Sequence, residues 1–242
     1  MKEISNLIWI CAVIAAIVLI AGFHWKSRQE DQVQKRKRMV DTQIRRRGVK
    51  DIAVLSAMSK VERHLFVPST LQHKAYDDTP LSIGHGQTIS QPYIVAYMTE
   101  VLELSKTDKV LEVGTGSGYQ AAVLAELCDS VFTIEIVRPL GVRADKVLKQ
   151  LRYSNIYTKI GDGYLGWPEH APFDAIIVTC APFDIPPSLK DQLAEGGRMI
   201  IPAGSKGRQQ LYLLRKVKGK LKTYNVLDVL FVPMVDSLGN KY

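Results

Sequence analysis

The 242-residue sequence predicts an α/β protein, a doubly wound and mostly parallel sheet preceded by one transmembrane helix. Three observations carry this. From Lys109 onward, short apolar runs alternate with amphipathic stretches of helical length, the pattern of strand–helix–strand units. The first of these runs enters a glycine-rich turn, Gly114-x-Gly116-x-Gly118. Near the N-terminus, Leu7 to Phe23 form seventeen residues that are apolar apart from Gly22.

As a helix, that stretch spans roughly 25 Å at ~1.5 Å per residue, and it has no polar face with which to sit half-buried on a soluble domain. A membrane anchor over residues 1–25 is the expectation. A cleaved signal peptide competes with it, although Glu3 offsets Lys2 and no small-x-small cleavage site is evident. A buried core helix is the third alternative. Residues 24–50 carry ten Lys/Arg against three Asp/Glu, a net +7, whereas residues 51–242 carry 21 against 20. The protein's overall +8 is therefore a collar behind the apolar stretch. Such a collar puts the body on the cytoplasmic side, tethered to the cytoplasmic membrane by residues 7–23. A near-neutral body argues against a nucleic-acid partner. Three cysteines without a C-x-x-C pair and five scattered histidines predict no disulfide framework and no metal site.

Residues 26–38 form a basic linker or helical extension, and 39–242 a single domain. Met39, Val40, Ile44, Val54, Leu55, Met58 and Val61 predict two short helices punctuated by Gly48 and Asp51. Residues 76–92 are rich in Gly, Pro, Asp, Thr and Ser and predict a long loop. Ser90 is placed to cap a following helix that has Pro92 in its first turn. Strands are then expected at 109–113, 131–134, 157–160, 175–178 and 198–201, with helices at 120–127, 138–151 and 188–193. Two final strands, 211–217 and 226–232, follow without an intervening helix and predict an antiparallel edge.

The chemistry centres on VLEVGTGSGYQ, residues 110–120. Glycines let a backbone turn tightly beside a ligand, and the helix behind them offers free N–H groups. The third glycine falls one position earlier than in the nicotinamide-dinucleotide pattern. Three acids mark strand ends: Glu112, Glu135 (21 residues after Gly114) and Asp162, in Gly161-Asp162-Gly163. Acids repel a pyrophosphate but suit S-adenosyl-L-methionine, which carries a sulfonium cation, a ribose and an adenine amino group. Glu112 and Asp162 also serve equally as turn formers or caps. Thr88 and Ser90 place two hydroxyls on the loop beside the glycine turn.

Several stretches together resemble the protein-L-isoaspartate O-methyltransferases: MVDTQIRRRGV, HLFVP, AYDDTPLSIGHGQTISQPYIVAYMTE, KVLEVGTGSGYQAAVLAEL, FTIE, GDGYLGWP, PFDAIIVT, QLAEGGRMIIP and FVPM. The resemblance runs from about Met39 to Val235, and GQTISQP is its most specific segment. It implies a class I S-adenosylmethionine-dependent methyltransferase fold, Rossmann-like, acting on the free α-carboxylate of L-isoaspartyl residues in damaged proteins. The resulting ester collapses to a succinimide, whose hydrolysis restores some normal aspartate. It also implies that the family's active-site serine falls on Ser90; the substrate carboxylate, with pKa ~4, is already ionised and needs no general base, and Thr88 and Ser90 supply hydroxyls to hold it, in a catalytic domain expected to be monomeric. Glu112, Gly114, Thr115, Gly116, Gly118, Glu135, Asp162 and Gly163 would bind the cofactor. The sequence departs from the family pattern at Glu62, Ile136 and Cys180. Rival expectations are a methyltransferase for another carboxylate or small molecule, a nicotinamide-dependent oxidoreductase, and a non-catalytic cofactor-binding module.

Overall fold

The computed structural model describes residues 30–205 and 207–242. The expected anchor, residues 7–23, lies outside them. Among the described residues, no helix is long and apolar enough to cross a membrane. Two units are distinguished, with a boundary between Arg38 and Met39. In the first, residues 30–38 are helical, with an Asp31–Lys35 ion pair one turn apart at 2.7 Å.

The second unit begins with a single π-helical turn, Val40–Ile44, and a 3-10 turn, Arg45–Arg47, that ends at Gly48 in the left-handed region. Helix α1, Ile52–Lys60, starts at Asp51, whose side chain accepts from the Val54 amide at 2.9 Å. Of the two helices expected here, only the second is α-helical.

Behind α1 lies Arg63, fully buried. Its Nε donates to the Ala75 carbonyl at 2.8 Å, and its guanidinium stands over the Tyr119 ring at 4.9 Å. Burial lowers its pKa to about 10. Tyr119 directly follows Gly118, so this buried cation braces the helix that leaves the glycine turn.

The expected long loop contains a hairpin instead. Strand β1, Leu81–Gly84, pairs antiparallel with β2, Gln87–Ile89. The turn between them is built from Gly84, His85 and Gly86, all at positive φ. The hairpin is held from outside by Arg143, whose Nη2 donates to the Ile83 carbonyl at 2.7 Å. Helix α2, Pro92–Glu100, follows, and its N-cap is Gln91, not Ser90. The physical reason is Pro92. Its fixed φ suits the first helical position, and its ring drives the preceding residue out of the helical region. Gln91 accordingly sits at φ −51°, ψ 138°, which leaves Ser90 outside the helix start.

The main sheet has seven strands in the order β5-β4-β3-β6-β7-β8-β9. They are β3 (Lys109–Val113), β4 (Ser130–Glu135), β5 (Ile156–Ile160), β6 (Phe173–Val178), β7 (Leu193–Ala203), β8 (Gln209–Val217) and β9 (Lys220–Val229). Helices α3 (Tyr119–Ala125), α4 (Arg138–Gln150) and α5 (Pro187–Asp191) connect them. The pairs β3/β4, β4/β5, β3/β6 and β6/β7 are parallel, while β7/β8 and β8/β9 are antiparallel.

Alternate residues of the same strands enter two different cores. Val110, Val131, Ala175 and Ile200 join the one that carries α1–α3. Leu111, Phe132, Ile176 and Met199 join the other. A strand buried on both faces reads as a continuous apolar run, which is why the parallel strands were legible. Strand β9 begins six residues before its expected start, because its first half is exposed and polar and shows no apolar pattern.

Candidate active site

Strand order reverses at β3. The chain first builds outward through β4 and β5, then returns to β6 on the other side of β3. Open α/β sheets bind ligands at the carboxyl ends of the strands flanking such a point, and a cavity of about 60 Å3 lies there. Gly114, Gly116, Glu135, Gly163, Thr179 and Cys180 line its sheet side. Gln87 and Thr88 of the hairpin close it from one direction, and Val232 to Val235 from another.

Glu135 is the last residue of β4 and is buried. One carboxylate oxygen accepts from the Gly116 amide at 2.7 Å, the other from the Val137 amide at 2.8 Å. Burial pushes its pKa up, and these amide donors pull it back. Each oxygen keeps a second lone pair for a ligand hydroxyl. Gly114 sits at φ +98°, and a Cβ there would fall 2.4 Å from Thr179 Oγ1. That hydroxyl donates to the Gly114 carbonyl at 2.7 Å, which locks the turn onto the end of β6. At Gly163 the constraint is space alone, because a Cβ would meet Val113 Cγ1 at 2.4 Å.

Four expected cofactor residues, Glu112, Thr115, Gly118 and Asp162, are not among those lining this cavity. Glu112 is fully buried within β3 and does not line the cavity. Its register partner on β4 is Thr133, whose hydroxyl donates to Glu112 Oε2 at 2.6 Å. Thr115 Oγ1 is also 2.6 Å from Thr133 Oγ1. Thr115 and Glu112 are thus the two ends of a buried hydroxyl chain bracing the glycine turn from behind. Glu112 Oε1 has no partner, and burial lifts the carboxyl pKa to about 8. Gly118 faces α4 instead, where a Cβ would stand 3.3 Å from Leu148 Cγ.

Asp162 caps the short 3-10 turn Gly163–Leu165, accepting from the Tyr164 amide at 2.9 Å. It adjoins the cavity through Gly163.

A second cavity, a groove of about 1000 Å3, abuts the first. Ser90, Gln91, Arg47 and Lys241 line it, along with apolar side chains that include Ile94 and Phe231. The two cavities share Thr88, Thr179, Val232 and Pro233. Thr88 therefore stands where they meet, and Ser90 belongs to the larger one.

Thr179, Cys180 and Val232 to Val235 were not assigned to the site from sequence. Thr179 follows β6 directly, so the strand-end rule that selected Glu135 would have found it. Residues 232–235 leave no such signal, because they fold back across the strand ends from beyond the last strand.

The donor set suits a sulfonium nucleoside. Glu135 is the one charged residue lining the smaller cavity, and no Lys or Arg among the described residues is there to bind phosphate.

A family model for protein-L-isoaspartate(D-aspartate) O-methyltransferase (PCMT) matches residues 34–239. The chain belongs to the protein-L-isoaspartate O-methyltransferase family. A protein-L-isoaspartate O-methyltransferase from Opitutus terrae is 52% identical over 221 residues, covering 91% of this chain and 95% of that one. Another, from Picosynechococcus sp., is 55% identical over 202 residues, covering 84% and 90%.

Among solved structures, a protein-L-isoaspartate O-methyltransferase superposes with a TM-score of 0.78 at 31% identity, over 85% of this chain and 67% of the other. A Plasmodium falciparum protein described as a protein-L-isoaspartate O-methyltransferase was solved in complex with S-adenosyl-L-homocysteine. It superposes with a TM-score of 0.73 at 29% identity, over 82% of this chain and 97% of its own. The fold is accordingly that of the class I S-adenosylmethionine-dependent methyltransferases.

Proposed function

We propose that this protein-L-isoaspartate O-methyltransferase works across the junction of its two cavities, with the cofactor in the smaller and the isoaspartyl segment in the groove. The observation that carries this is the shared wall at Thr88, Thr179, Val232 and Pro233. It joins a carboxylate-lined nucleoside site to a groove large enough for a peptide. S-adenosyl-L-methionine, when bound, supplies an electrophilic methyl group on a sulfonium. Glu135 would accept from its ribose hydroxyls, Asp162 and Gly163 would flank its adenine, and Gly114 and Gly116 would allow close backbone approach.

The protein's own task is alignment. The isoaspartyl α-carboxylate is ionised at neutral pH and is itself the nucleophile. Among the described residues no histidine lines either cavity, and this reaction needs none. Thr88 and Ser90 donate hydroxyl hydrogen bonds to the carboxylate and turn one oxygen toward the junction. Holding a near-attack geometry lowers the barrier by removing orientational freedom, and the walls around Thr88 keep out water, the competing nucleophile.

Incubation with labelled cofactor and paired isoaspartyl and aspartyl peptides tests this directly. Base-labile label is expected on the isoaspartyl peptide only; equal labelling of both would overturn the assignment. In the same assay Ser90→Ala should lower turnover ~10- to 100-fold, the loss expected for one hydrogen bond to a charged group, while cofactor affinity changes less than about twofold. Equal losses in both quantities would count against Ser90 as a substrate ligand.

The apolar stretch 7–23 and the basic collar behind it support a membrane tether with the enzyme domain on the cytoplasmic face. The full chain is then expected in the membrane fraction. Ile17→Arg, which costs ~3 kcal/mol at the centre of a span, should shift it toward the soluble fraction. An unchanged distribution would exclude the tether.

A further inference from the structure

Residues 232–242 form a strap along the end of the sheet. Val232 and Met234 are bonded to Ala181 on either side, carbonyl to amide and amide to carbonyl, each at 2.8 Å. Tyr242 is then fixed at both ends of its peptide unit. Its amide donates to the Met234 carbonyl at 3.2 Å, and its own carbonyl accepts from the Phe183 amide at 2.8 Å. So anchored, the Tyr242 ring stacks on Tyr164, with centroids 4.1 Å apart and planes inclined by 19°. Its hydroxyl donates to Asp162 Oδ2. The other oxygen of Asp162 is already held by the Tyr164 amide.

Both oxygens of this carboxylate thus have a donor from the protein, each with a lone pair left over. Its plane is set by two residues that are themselves stacked face to face. Donation to Asp162 raises the Tyr242 pKa to about 12, so the hydroxyl remains a donor throughout the neutral range. Tyr242 lies three residues beyond the end of the family match, at residue 239.

We propose that Tyr242 is a positioning residue of the cofactor site, orienting Asp162 for the adenine end of S-adenosyl-L-methionine. This rests on the assignment of Asp162 to that end. An oriented acceptor binds without first losing rotamer freedom, so the benefit appears in cofactor affinity. Tyr242 also lines the groove, but its hydroxyl is spent on Asp162, so removing that hydroxyl alone keeps the groove's wall in place. Phenylalanine keeps the stack and removes the hydroxyl alone.

The test is calorimetric titration of the full chain with S-adenosyl-L-homocysteine, alongside peptide KM. Tyr242→Phe is expected to weaken binding ~3- to 10-fold, within the range of one hydrogen bond to a charged group, while peptide KM moves less than twofold. Tyr242→Ala should weaken it further. In an Asp162→Asn background, Tyr242→Phe should have no additional effect, because coupled residues are non-additive. If Asp162→Asn weakens binding and Tyr242→Phe does not, the positioning role is overturned while the Asp162 assignment stands. Tighter binding by Tyr242→Phe would overturn it too, by showing that the hydroxyl competes with the adenine. If Asp162→Asn is itself silent, the Asp162 assignment fails and the proposed route fails with it.

Discussion

Glu135→Ala should cost the protein most of its cofactor affinity while leaving the sheet intact. The side chain closes β4 at the cavity and is the one charge there. Two hydrogen bonds from ribose hydroxyls to an ionised carboxylate contribute ~1.5–3 kcal/mol each, so a loss of roughly 100-fold or more in Kd is expected. The substitution also removes the acceptors for the Gly116 and Val137 amides, which loosens the turn itself.

A pH dependence follows from the same group. Because burial raises the Glu135 pKa, affinity should decline as pH is lowered toward that raised value and the carboxylate takes up a proton. Titration with S-adenosyl-L-homocysteine at several pH values measures both effects. An unchanged Kd in Glu135→Ala would remove Glu135 from the ribose site.

Glu112→Gln should act on stability and on its slope with pH. The Glu112 carboxyl titrates near 8 when folded, against 4.5 ordinarily, because burial within β3 disfavours its charge. Between those values the folded chain holds a proton that the unfolded chain has released. Stability therefore falls as pH rises through that window. Each pKa unit corresponds to ~1.4 kcal/mol, which bounds the effect at a few kcal/mol.

Glutamine still accepts from Thr133 and cannot ionise. The variant should match the parent near pH 5, exceed it at pH 8–9, and show a flatter profile in urea unfolding. Parallel profiles would mean that Glu112 is ionised in the folded protein. A loss of cofactor affinity far larger than the stability change would instead return Glu112 to direct ligand contact.

These two acids show where sequence stops being informative. Both stand near the carboxyl end of a strand beside a glycine turn, and spacing alone gives them equal claim to a cofactor. Strand parity separates them. Glu112 alternates with Leu111 and Val113, which enter one core, and so its side chain is sent to the opposite face beside its register partner Thr133. Glu135 ends its strand, so its carboxylate meets the turn amides.

The parallel strands were legible because burial on both faces leaves continuous apolar runs. The hairpin at 81–89 was not, since four- and three-residue strands around Gly84-His85-Gly86 carry the composition of a loop. The cap assigned to Ser90 failed on one residue of offset imposed by Pro92, and Ser90 lines the larger cavity instead. Thr88 could be named from the motif but not placed at a junction, because the junction exists only once residues 232–235 have folded back over it.

That fold-back bears on how the enzyme is made. The sheet side of the smaller cavity is complete only at Cys180, its last wall comes from Val232 to Val235, and Tyr242 reaches Asp162 from further on still. A chain emerging from the ribosome completes its parallel sheet well before it has a cofactor site, since domains mature as units during synthesis. S-adenosyl-L-methionine, binding the native state and not the nascent one, adds its own mass-action stabilisation only after the strap of residues 232–242 is in place. An enzyme acting on damaged proteins would in this way gain its activity only after its own parallel sheet has formed.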